Sequence, residues 1–365
     1  MRTEDRRIPV TLLTGFLGSG KTTLLNAMLR DPAMKGCAVV INEVGAVGID
    51  HLLVEQVSEE VTLLESGCLC CTVRGDLSRS LRELFMRRLR REIGRLDRVV
   101  IETSGLADPA PVIHTLMKDF FLAERFRLEG VVTTVDVRNV HWQLGQHEEA
   151  VKQVAMADRI VLTKCDLADS LQIAEAEERV VGLNALAACW QGESGTVPPG
   201  LLDGMSLYAA AGKSAAVEQW LGEAAVRAQQ RLNARQSVFG RASVPGLHDE
   251  RVATHVLRFA QPFAWAAFSR AMDMLQSLVG DRLLRVKGLI AVAGEAAPRV
   301  FHAVQHESYP ETALPGWPDD DRETRLVFIV RDLPRETLEL AFSGFAARTA
   351  NLEAASGQGV LQSQA

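Results

Sequence analysis

Residues 15–22 form the sequence feature that most restricts the fold of this chain. They read G-F-L-G-S-G-K-T and match the pattern G-x-x-x-x-G-K-[ST] at every position. An apolar run precedes the motif and a helical pattern follows it, so we predict a strand, a phosphate-binding loop and a helix in that order. Gly15, Gly18 and Gly20 would allow the tight backbone of such a loop. Its N–H groups and the positive end of the helix attract phosphate oxygens.

Four residues in and near this loop are predicted to act on the phosphates. Lys21 would reach the β- and γ-phosphates, and the Thr22 hydroxyl would ligate Mg²⁺. Glu102 ends another apolar run and would hold the Mg²⁺ shell, directly or through water. Gly105 could offer its N–H to the γ-phosphate and move when that group leaves. An ordinary strand-to-helix turn is the alternative interpretation of residues 102–105.

A third segment, Thr163-Lys164-Cys165-Asp166, follows a further apolar run. The Asp166 carboxylate can accept both the N1–H and the exocyclic amine of guanine, whereas adenine presents an acceptor at N1. Lys164 would lie along the plane of the base. GTPases commonly have Asn at the position of Thr163, so a side-chain amide is lost there. The segment predicts guanine recognition, with a solvated Lys–Asp pair as the alternative.

Three thiols lie within four residues, at Cys68, Cys70 and Cys71. Cys68 and Cys70 would point the same way in an extended segment, and nearby glycines would let the chain turn to bring in Cys71. Three thiolates favour Zn²⁺ with an exchangeable fourth position, although Co²⁺ and Cu⁺ also accept sulphur. Glu43, in I-N-E-V-G at 41–45, is a candidate oxygen ligand that could equally contact Mg²⁺ or water. A redox role and simple burial of the cysteines stay open.

Composition limits the class of protein. A chain of 365 residues can form two or three domains, and its net charge of −6 disfavours nucleic-acid binding. No apolar run reaches the roughly 18 residues of a membrane span, and the charged residues 1–7 pass into a strand pattern without a secretory signal. The six cysteines, half of them in one tetrapeptide, do not resemble a disulfide framework. They favour a reducing cytosol, in which a thiolate cluster survives.

The order of elements predicts an α/β fold: a P-loop NTPase with a mostly parallel sheet flanked by helices, followed by a smaller α+β C-terminal domain. The strands predicted for the first domain are Val10–Thr14, Ala38–Ile41, Val61–Leu64, Arg98–Glu102, Gly130–Val135, Arg159–Leu162 and a short strand near Met205–Tyr208. The helices predicted there are Lys21–Arg30, Asp76–Ile93, Pro109–Lys118, Glu148–Met156, Ser170–Leu186 and Ala215–Arg235. The strands predicted for the second domain are Thr254–Phe259, Leu283–Val292, Arg299–Val304 and Arg325–Val330. Its predicted helices are Pro262–Leu278 and Arg335–Phe345.

Domain boundaries follow from the same patterns. Residues 1–236 are predicted to form the nucleotide-binding domain, and the Gly-, Ser- and Pro-containing stretch 237–249 a linker. Residues 250–346 would form the second domain. The tail 347–365 is small and polar, and we expect it to be disordered.

These blocks together resemble the CobW family of P-loop GTPases, in the SIMIBI class. The matching blocks are 15–26, 41–45, 65–77, 102–109 and 163–166, and the second domain resembles the C-terminal module of the family at 283–289 and 325–330. The resemblance implies nucleotide and Mg²⁺ contacts at Gly15, Gly18, Ser19, Gly20, Lys21, Thr22 and Thr23. It implies base contacts at Thr163, Lys164 and Asp166, and binding of the transferred metal at Cys68, Cys70, Cys71 and Glu43. Three departures are Thr163 in place of Asn, Ala46 at an often acidic position, and the lack of a histidine-rich stretch.

The resemblance implies a cytoplasmic GTPase that couples GTP binding and hydrolysis to the loading of a divalent metal, zinc before cobalt, and to its transfer to a client metalloprotein. The expected ligands are GTP or GDP, Mg²⁺ and Zn²⁺, with Co²⁺ as a further option. No nucleic-acid or membrane partner is expected, and a homo-oligomer stays open. The alternatives are a nucleotide-modulated metal sensor or store with incidental hydrolysis, cobalt delivery for cobalamin synthesis, and a P-loop kinase or ATPase.

Overall fold

The chain forms two compact units, which we describe separately. The residues that the computed structural model describes are 5–42, 62–66, 73–193, 195–202, 205, 221, 222, 226 and 251–343. Residues 42, 62–66 and 73–76 are described by their backbone only. The first unit contains the described residues up to 205, and the second contains those from 221 onwards.

The first unit is built on a seven-stranded sheet in which all neighbouring strands are parallel. Its strands are β1 (Ile8–Gly15), β2 (Cys37–Asn42), β3 (Thr62–Ser66), β4 (Arg98–Thr103), β5 (Phe126–Asp136), β6 (Arg159–Thr163) and β7 (Ala188–Gln191). Their spatial order is β3-β2-β4-β1-β5-β6-β7. The predicted fold class is thereby confirmed for this unit.

Helices connect these strands. They are α1 (Lys21–Leu29), α2 (Val73–Leu89), α3 (Ala110–Lys118), α4 (Phe120–Arg125), α5 (Val140–Gln146), α6 (Glu148–Ala155) and α7 (Ser170–Leu183). Local sequence sets their ends. Asp119 follows α3 and caps α4 by accepting the N–H groups of Phe121 and Leu122. Asp169 and Gln172 form a reciprocal capping box at the start of α7.

The central strands of the first unit are buried, and their carboxyl ends lie at one edge of the sheet. Seven of the eight residues of β1 and five of the six of β4 are buried, as expected for parallel strands covered on both faces. Apolar side chains from α1 pack against this sheet. Members of that cluster are Leu13, Leu24, Leu25, Met28, Val39, Ile41, Val100, Val132 and Val161. Because parallel strands share one direction, residues 15–20, Glu102 and Thr163 all lie at the same edge of the sheet.

The described part of the second unit contains an antiparallel sheet and the helices α8 (Trp265–Val279) and α9 (335–343). Its strands are β8 (Val252–Phe259), β9 (Leu283–Ile290), β10 (Arg299–Val304), β11 (Glu307–Ser308), β12 (Thr312–Ala313) and β13 (Thr324–Arg331). They are ordered β11-β10-β9-β13-β8, and β12 also pairs with β10. Helices α8 and α9 supply Phe268 and Phe342 to a core that also holds Phe263, Phe301 and Phe328. The predicted α+β class is confirmed here as well.

Several element predictions were wrong in detail, as three examples show. Residues 188–191 form the strand β7, which was not predicted; the predicted helix ended at Leu186, and residues from 190 onwards were expected to form a surface loop. Strand β5 begins at Phe126 rather than Gly130, and the short helix α4 precedes it. Helix α8 begins at Trp265 rather than Pro262, because the preceding Ala264 is still extended.

Several predictions lie wholly or largely outside the described residues. These are the helix Ala215–Arg235, most of the strand Met205–Tyr208, the linker 237–249 and the tail 347–365. Among the helices that the structure describes, none combines the length and the apolar character needed to cross a bilayer.

Candidate functional site

The loop after β1 has the backbone conformation that its glycines were predicted to permit. Gly15, Gly18 and Gly20 have φ values of 144°, 70° and 90°, which L-residues with a side chain rarely adopt. A Cβ on Gly15 would lie 2.5 Å from the Thr134 carbonyl oxygen and 2.7 Å from the Ser19 hydroxyl. No side chain fits there, so the turn requires glycine at this position.

Ser19 and Lys21 point into the protein rather than into solvent. The buried Ser19 hydroxyl forms a 2.7 Å hydrogen bond with the Thr134 hydroxyl on β5. The Lys21 ammonium group donates to the carbonyl oxygens of Gly15 and Phe16, at 3.1 and 3.2 Å. Lys21 is therefore folded back against the loop, with its charge close to the predicted phosphate position.

Thr22 and Glu102, both predicted to serve Mg²⁺, are in direct contact. The Thr22 hydroxyl donates a 2.7 Å hydrogen bond to Oε1 of Glu102, which is buried at the end of β4. Next to Glu102, the Thr103 hydroxyl donates to the Thr14 hydroxyl on β1 at 2.8 Å. Hydroxyl and carboxylate oxygens are the donors that Mg²⁺ prefers, so this pair is chemically suited to that ion.

Gly105 lies against the phosphate loop. A Cβ on Gly105 would lie 2.7 Å from both the backbone nitrogen and the Cα of Leu17. Only glycine lets the segment after β4 approach the loop this closely. The structure thus places all four predicted catalytic residues around one loop, and the predicted nucleotide contact Thr23 is exposed at the cleft beside it.

A cleft beside this loop contains the residues predicted to read the base. It has a volume of about 220 Å³. Its lining residues are Gly20, Thr23, Leu24, Val161, Thr163, Lys164, Asp166, Leu167, Gly192, Glu193, Gly195 and Thr196. Asp166 is exposed at the cleft, and the Thr163 hydroxyl donates to the Ser19 carbonyl at 2.7 Å. The lining residues Gly192, Glu193, Gly195 and Thr196 follow the unpredicted strand β7, which explains why sequence reasoning missed them.

Asp136 is a further residue of this site that sequence reasoning missed. It ends β5, and its carboxylate accepts hydrogen bonds from Lys164 Nζ and Asn139 Nδ2, both at 2.7 Å. Burial alone would raise the pKa of Asp136, but the hydrogen bonds from Lys164, Asn139 and the Arg138 amide outweigh it and lower that pKa below its usual value. The ionised Asp136 fixes Lys164, whose backbone is left-handed at φ 60°.

The predicted ligands of the transferred metal, Cys68, Cys70, Cys71 and Glu43, lie outside the described residues. The strands that precede them in sequence are adjacent, because Asn42 at the end of β2 pairs in register with Ser66 at the end of β3. Within the described part of the chain, no group of three His, Cys, Asp or Glu side chains could hold a metal ion.

The described cysteines are poor metal ligands. Burial raises the pKa of the Cys37 and Cys189 thiols to about 12, and it also raises the pKa of the Cys165 thiol. All three stay protonated at neutral pH, whereas a metal is bound by the thiolate.

Two family models match the chain and together span both units. The CobW/HypB/UreG nucleotide-binding domain matches residues 9–191, and the cobalamin synthesis protein CobW C-terminal domain matches residues 252–346. The chain belongs to the CobW/HypB/UreG family. The predicted resemblance is confirmed, and with it the assignment of this CobW-family chain to the P-loop GTPases.

Similar proteins match more than nine-tenths of this CobW-family chain. The zinc chaperone YjiA of Escherichia coli (strain K12) is 32% identical over 339 residues, which cover 92% of this chain and 98% of YjiA. The zinc-regulated GTPase metalloprotein activator 1 of Saccharomyces cerevisiae is 28% identical and covers 92% of this chain and 83% of that protein. A crystal structure of Zn(II)-bound YjiA GTPase from E. coli matches at 28% identity with a TM-score of 0.69, covering 93% of this chain and 99% of YjiA.

Proposed function

We propose that this chain is a GTP hydrolase that couples its nucleotide state to the loading of zinc and to zinc transfer to a client metalloprotein. One observation carries the coupling. Glu102, which accepts the Thr22 hydroxyl at the phosphate loop, pairs in register with Ile41 on β2. Glu43 follows two residues later in sequence, and β2 is also paired with the strand that precedes the cysteines.

The nucleotide chemistry is assigned to residues of the first unit. Lys21 would neutralise the β- and γ-phosphates once it leaves the loop carbonyls, and the Gly105 N–H would contact the γ-phosphate. The oxygens of Thr22 and Glu102 would hold Mg²⁺, which supplies positive charge to the phosphates when bound. Asp166, with Lys164 along the base, would select guanine. The contact of Gly105 with the loop supports this assignment.

Zinc would be the cargo of this cycle rather than a resident cofactor. Cys68, Cys70 and Cys71 would bind it as thiolates with Glu43 as a further ligand, and three protein thiolates leave a position for exchange. The high pKa of the described thiols supports this choice, since they would not compete for the ion at neutral pH. The names of the related YjiA and yeast proteins refer to zinc, which favours zinc over cobalt as the cargo.

The proposal extends to location and partners. A thiolate site that gives up its metal needs a reducing compartment, so we place the protein in the cytoplasm. The second unit would offer the surface for a client metalloprotein.

A competitive zinc titration tests the coupling. The full chain is titrated against a chromophoric chelator in the presence of GDP, of the non-hydrolysable analogue GMPPNP and of no nucleotide, and the titration is repeated with Cys70→Ala. We expect zinc affinity to depend on the nucleotide by at least about tenfold, the usual size of a coupling between two sites. The variant should lose both the affinity and the nucleotide dependence. Equal zinc retention in all three conditions contradicts delivery and favours a metal sensor or store.

A second measurement tests base selection. Asp166→Asn should shift the preference from GTP towards xanthosine triphosphate, because the amide then faces a carbonyl in place of the amine. A variant that still prefers GTP would show that the base is read elsewhere and would favour a P-loop kinase or ATPase.

A further inference from the structure

The segment that follows β4 is held by a buried side chain from α6. Gln153 is only 1% exposed. Its side-chain amide donates to the carbonyl oxygens of Gly105 and Ala107, at 3.2 and 3.0 Å. Both hydrogens of one amide group are thus used to fix two peptide groups of residues 104–108.

The neighbouring residue of α6 holds the far end of the same segment. Lys152 Nζ lies 2.6 Å from Oδ2 of Asp108. The other oxygen of Asp108 accepts the N–H of Ala110 at the start of α3, at 2.9 Å. Residues 105, 107 and 108 are therefore all attached to consecutive side chains of one helix.

The opposite side of the segment has no room to adjust. Gly105 lies so close to Leu17 that a single added carbon would lie within 2.7 Å of the Leu17 backbone. The segment is confined between the phosphate loop and the Gln153 amide. Its position relative to the loop is consequently set by the two Gln153 hydrogen bonds together with the Lys152 contact to Asp108.

We propose that Gln153 is the positioning residue that aims the Gly105 N–H at the γ-phosphate and so makes the protein prefer GTP to GDP. This inference rests on the proposed function. Gln153 touches neither phosphate nor base; it acts through the carbonyls of Gly105 and Ala107. GDP has no γ-phosphate, so the energetic benefit of a correctly placed Gly105 appears only with GTP.

The test compares nucleotide affinities rather than stability. Gln153→Met removes both donors and keeps an unbranched side chain of similar length. Affinities of full-length wild type and variant are measured for GDP and for GMPPNP by displacement of a fluorescent GDP. We expect GMPPNP affinity to fall about tenfold, as for the loss of an interaction made only with the γ-phosphate, and GDP affinity to stay within about twofold.

Two further variants separate positioning from packing. Val154→Ala truncates a buried side chain of the same helix that has no polar group to hold residues 104–108, and it should leave the ratio of the two affinities at the wild-type value. Lys152→Met removes the contact to Asp108 at a partly exposed site, where folding is not at risk. It should lower the GMPPNP affinity selectively, by a smaller factor than Gln153→Met.

The results for the variants test the role of Gln153, and the wild-type result tests the proposed function. An unchanged affinity ratio in Gln153→Met, or an equal loss for both nucleotides, overturns the role of Gln153. If Gln153→Met does not fold, an unchanged ratio in Lys152→Met overturns it. A wild-type chain that binds neither GDP nor GMPPNP would instead refute the proposed function itself, so the two failures are distinguishable.

Discussion

The Thr163 hydroxyl donates a 2.7 Å hydrogen bond to the carbonyl oxygen of Ser19 in the phosphate loop. It also lies 3.2 Å from the Val135 carbonyl oxygen. The residue that stands where GTPases commonly have Asn thus connects β6 to the glycine-rich loop that is predicted to hold the phosphates. In the proposed nucleotide site, this hydroxyl links the predicted base-reading segment to the predicted phosphate loop.

Removal of this hydrogen bond should weaken the binding of GTP and of GDP to the same extent. Thr163→Val keeps the shape of the side chain and deletes the hydroxyl. We expect GTP and GDP affinities to fall about fivefold each, because a lost hydrogen bond costs about 1 kcal/mol. Displacement of fluorescent GDP measures both. Thr163→Ser keeps the donor and serves as the control; if it weakens binding while Thr163→Val does not, packing rather than the hydrogen bond holds the site.

Asp136→Asn should also weaken the binding of GTP and GDP, since Lys164 loses its ionised partner. We expect each affinity to fall about tenfold, because a hydrogen bond to a charged group contributes roughly twice as much as a neutral one. The matched control is Asn139→Ala, which removes another donor to the same carboxylate but leaves the Lys164 contact. Isothermal titration calorimetry with GDP compares the two variants. Equal losses of GDP affinity would show that the Lys164 contact of Asp136 contributes no more to binding than the Asn139 contact.

The same contact has a defined pH dependence. The folded-state pKa of Asp136 is lowered, so its contribution to stability is complete above the ordinary Asp pKa of about 3.9. That contribution is lost as the pH falls through the lowered value. Asp136→Asn should remove this part of the acid sensitivity in urea unfolding near pH 4, and an unchanged acid profile would contradict the ion pair.

Gly105→Ala should impair GTP hydrolysis more than GDP binding. The added carbon would collide with the Leu17 backbone, which cannot yield as a flexible side chain does. We expect the kcat of phosphate release to fall about 10- to 100-fold, the range for a misplaced or lost transition-state donor. Gly145→Ala is the control, because its Cβ would have no heavy atom within 4 Å. If Gly105→Ala hydrolyses GTP at the wild-type rate, the close approach of Gly105 to the Leu17 backbone does not matter for hydrolysis.

His255 should make the second unit sensitive to mild acid. Burial lowers the pKa of His255 from 6.5, only partly offset by its hydrogen bond to the Leu333 carbonyl. The nearby charges are Arg335, which also lowers the pKa, and Glu336 and Glu339, which raise it. The unfolded chain therefore binds a proton first, and stability falls by up to about 1.4 kcal/mol per pH unit as the pH drops below about 6.5.

Amide hydrogen exchange of β8 and β13 between pH 7.5 and 5.5 measures this loss of stability. His255→Gln keeps a donor for the Leu333 carbonyl and cannot take up a proton, so its opening free energy should stay level over that range. Parallel pH profiles for wild type and variant would rule out His255 as the group that titrates.

The sequence predicted the parts of the fold that carry a strong local signal. The strand–loop–helix around Gly15 and the run Arg299–Val304 were predicted from motif and apolar pattern alone. Strand β7 was missed because its four residues, Ala-Cys-Trp-Gln, carry no strand pattern of their own. It exists through its pairing with β6. The half-buried start of β5 alternates too weakly to be recognised.

The residues of the candidate site likewise divide into those with a local sequence signal and those without one. Lys21, Thr22, Glu102 and Asp166 could be named because each belongs to a short contiguous motif. Asp136 and Gln153 could not, since their partners Lys164 and Gly105 are 28 and 48 residues away in sequence. Only the register of the parallel sheet and the packing of α6 bring these pairs together. Polar contacts between residues far apart in sequence produce no recognisable pattern in the sequence itself.

The strand order divides the work of the nucleotide-binding unit. Strand β1 separates β5, β6 and β7, which lie on the side of the proposed base cleft, from β4, β2 and β3; β2 precedes Glu43 in sequence and β3 precedes the cysteines. Neighbouring strands are about 4.8 Å apart, so β2 lies only about 10 Å from β1. In the proposed function, base selection and zinc binding therefore lie on opposite sides of β1, so a relative could change its preferred nucleotide while keeping the same metal.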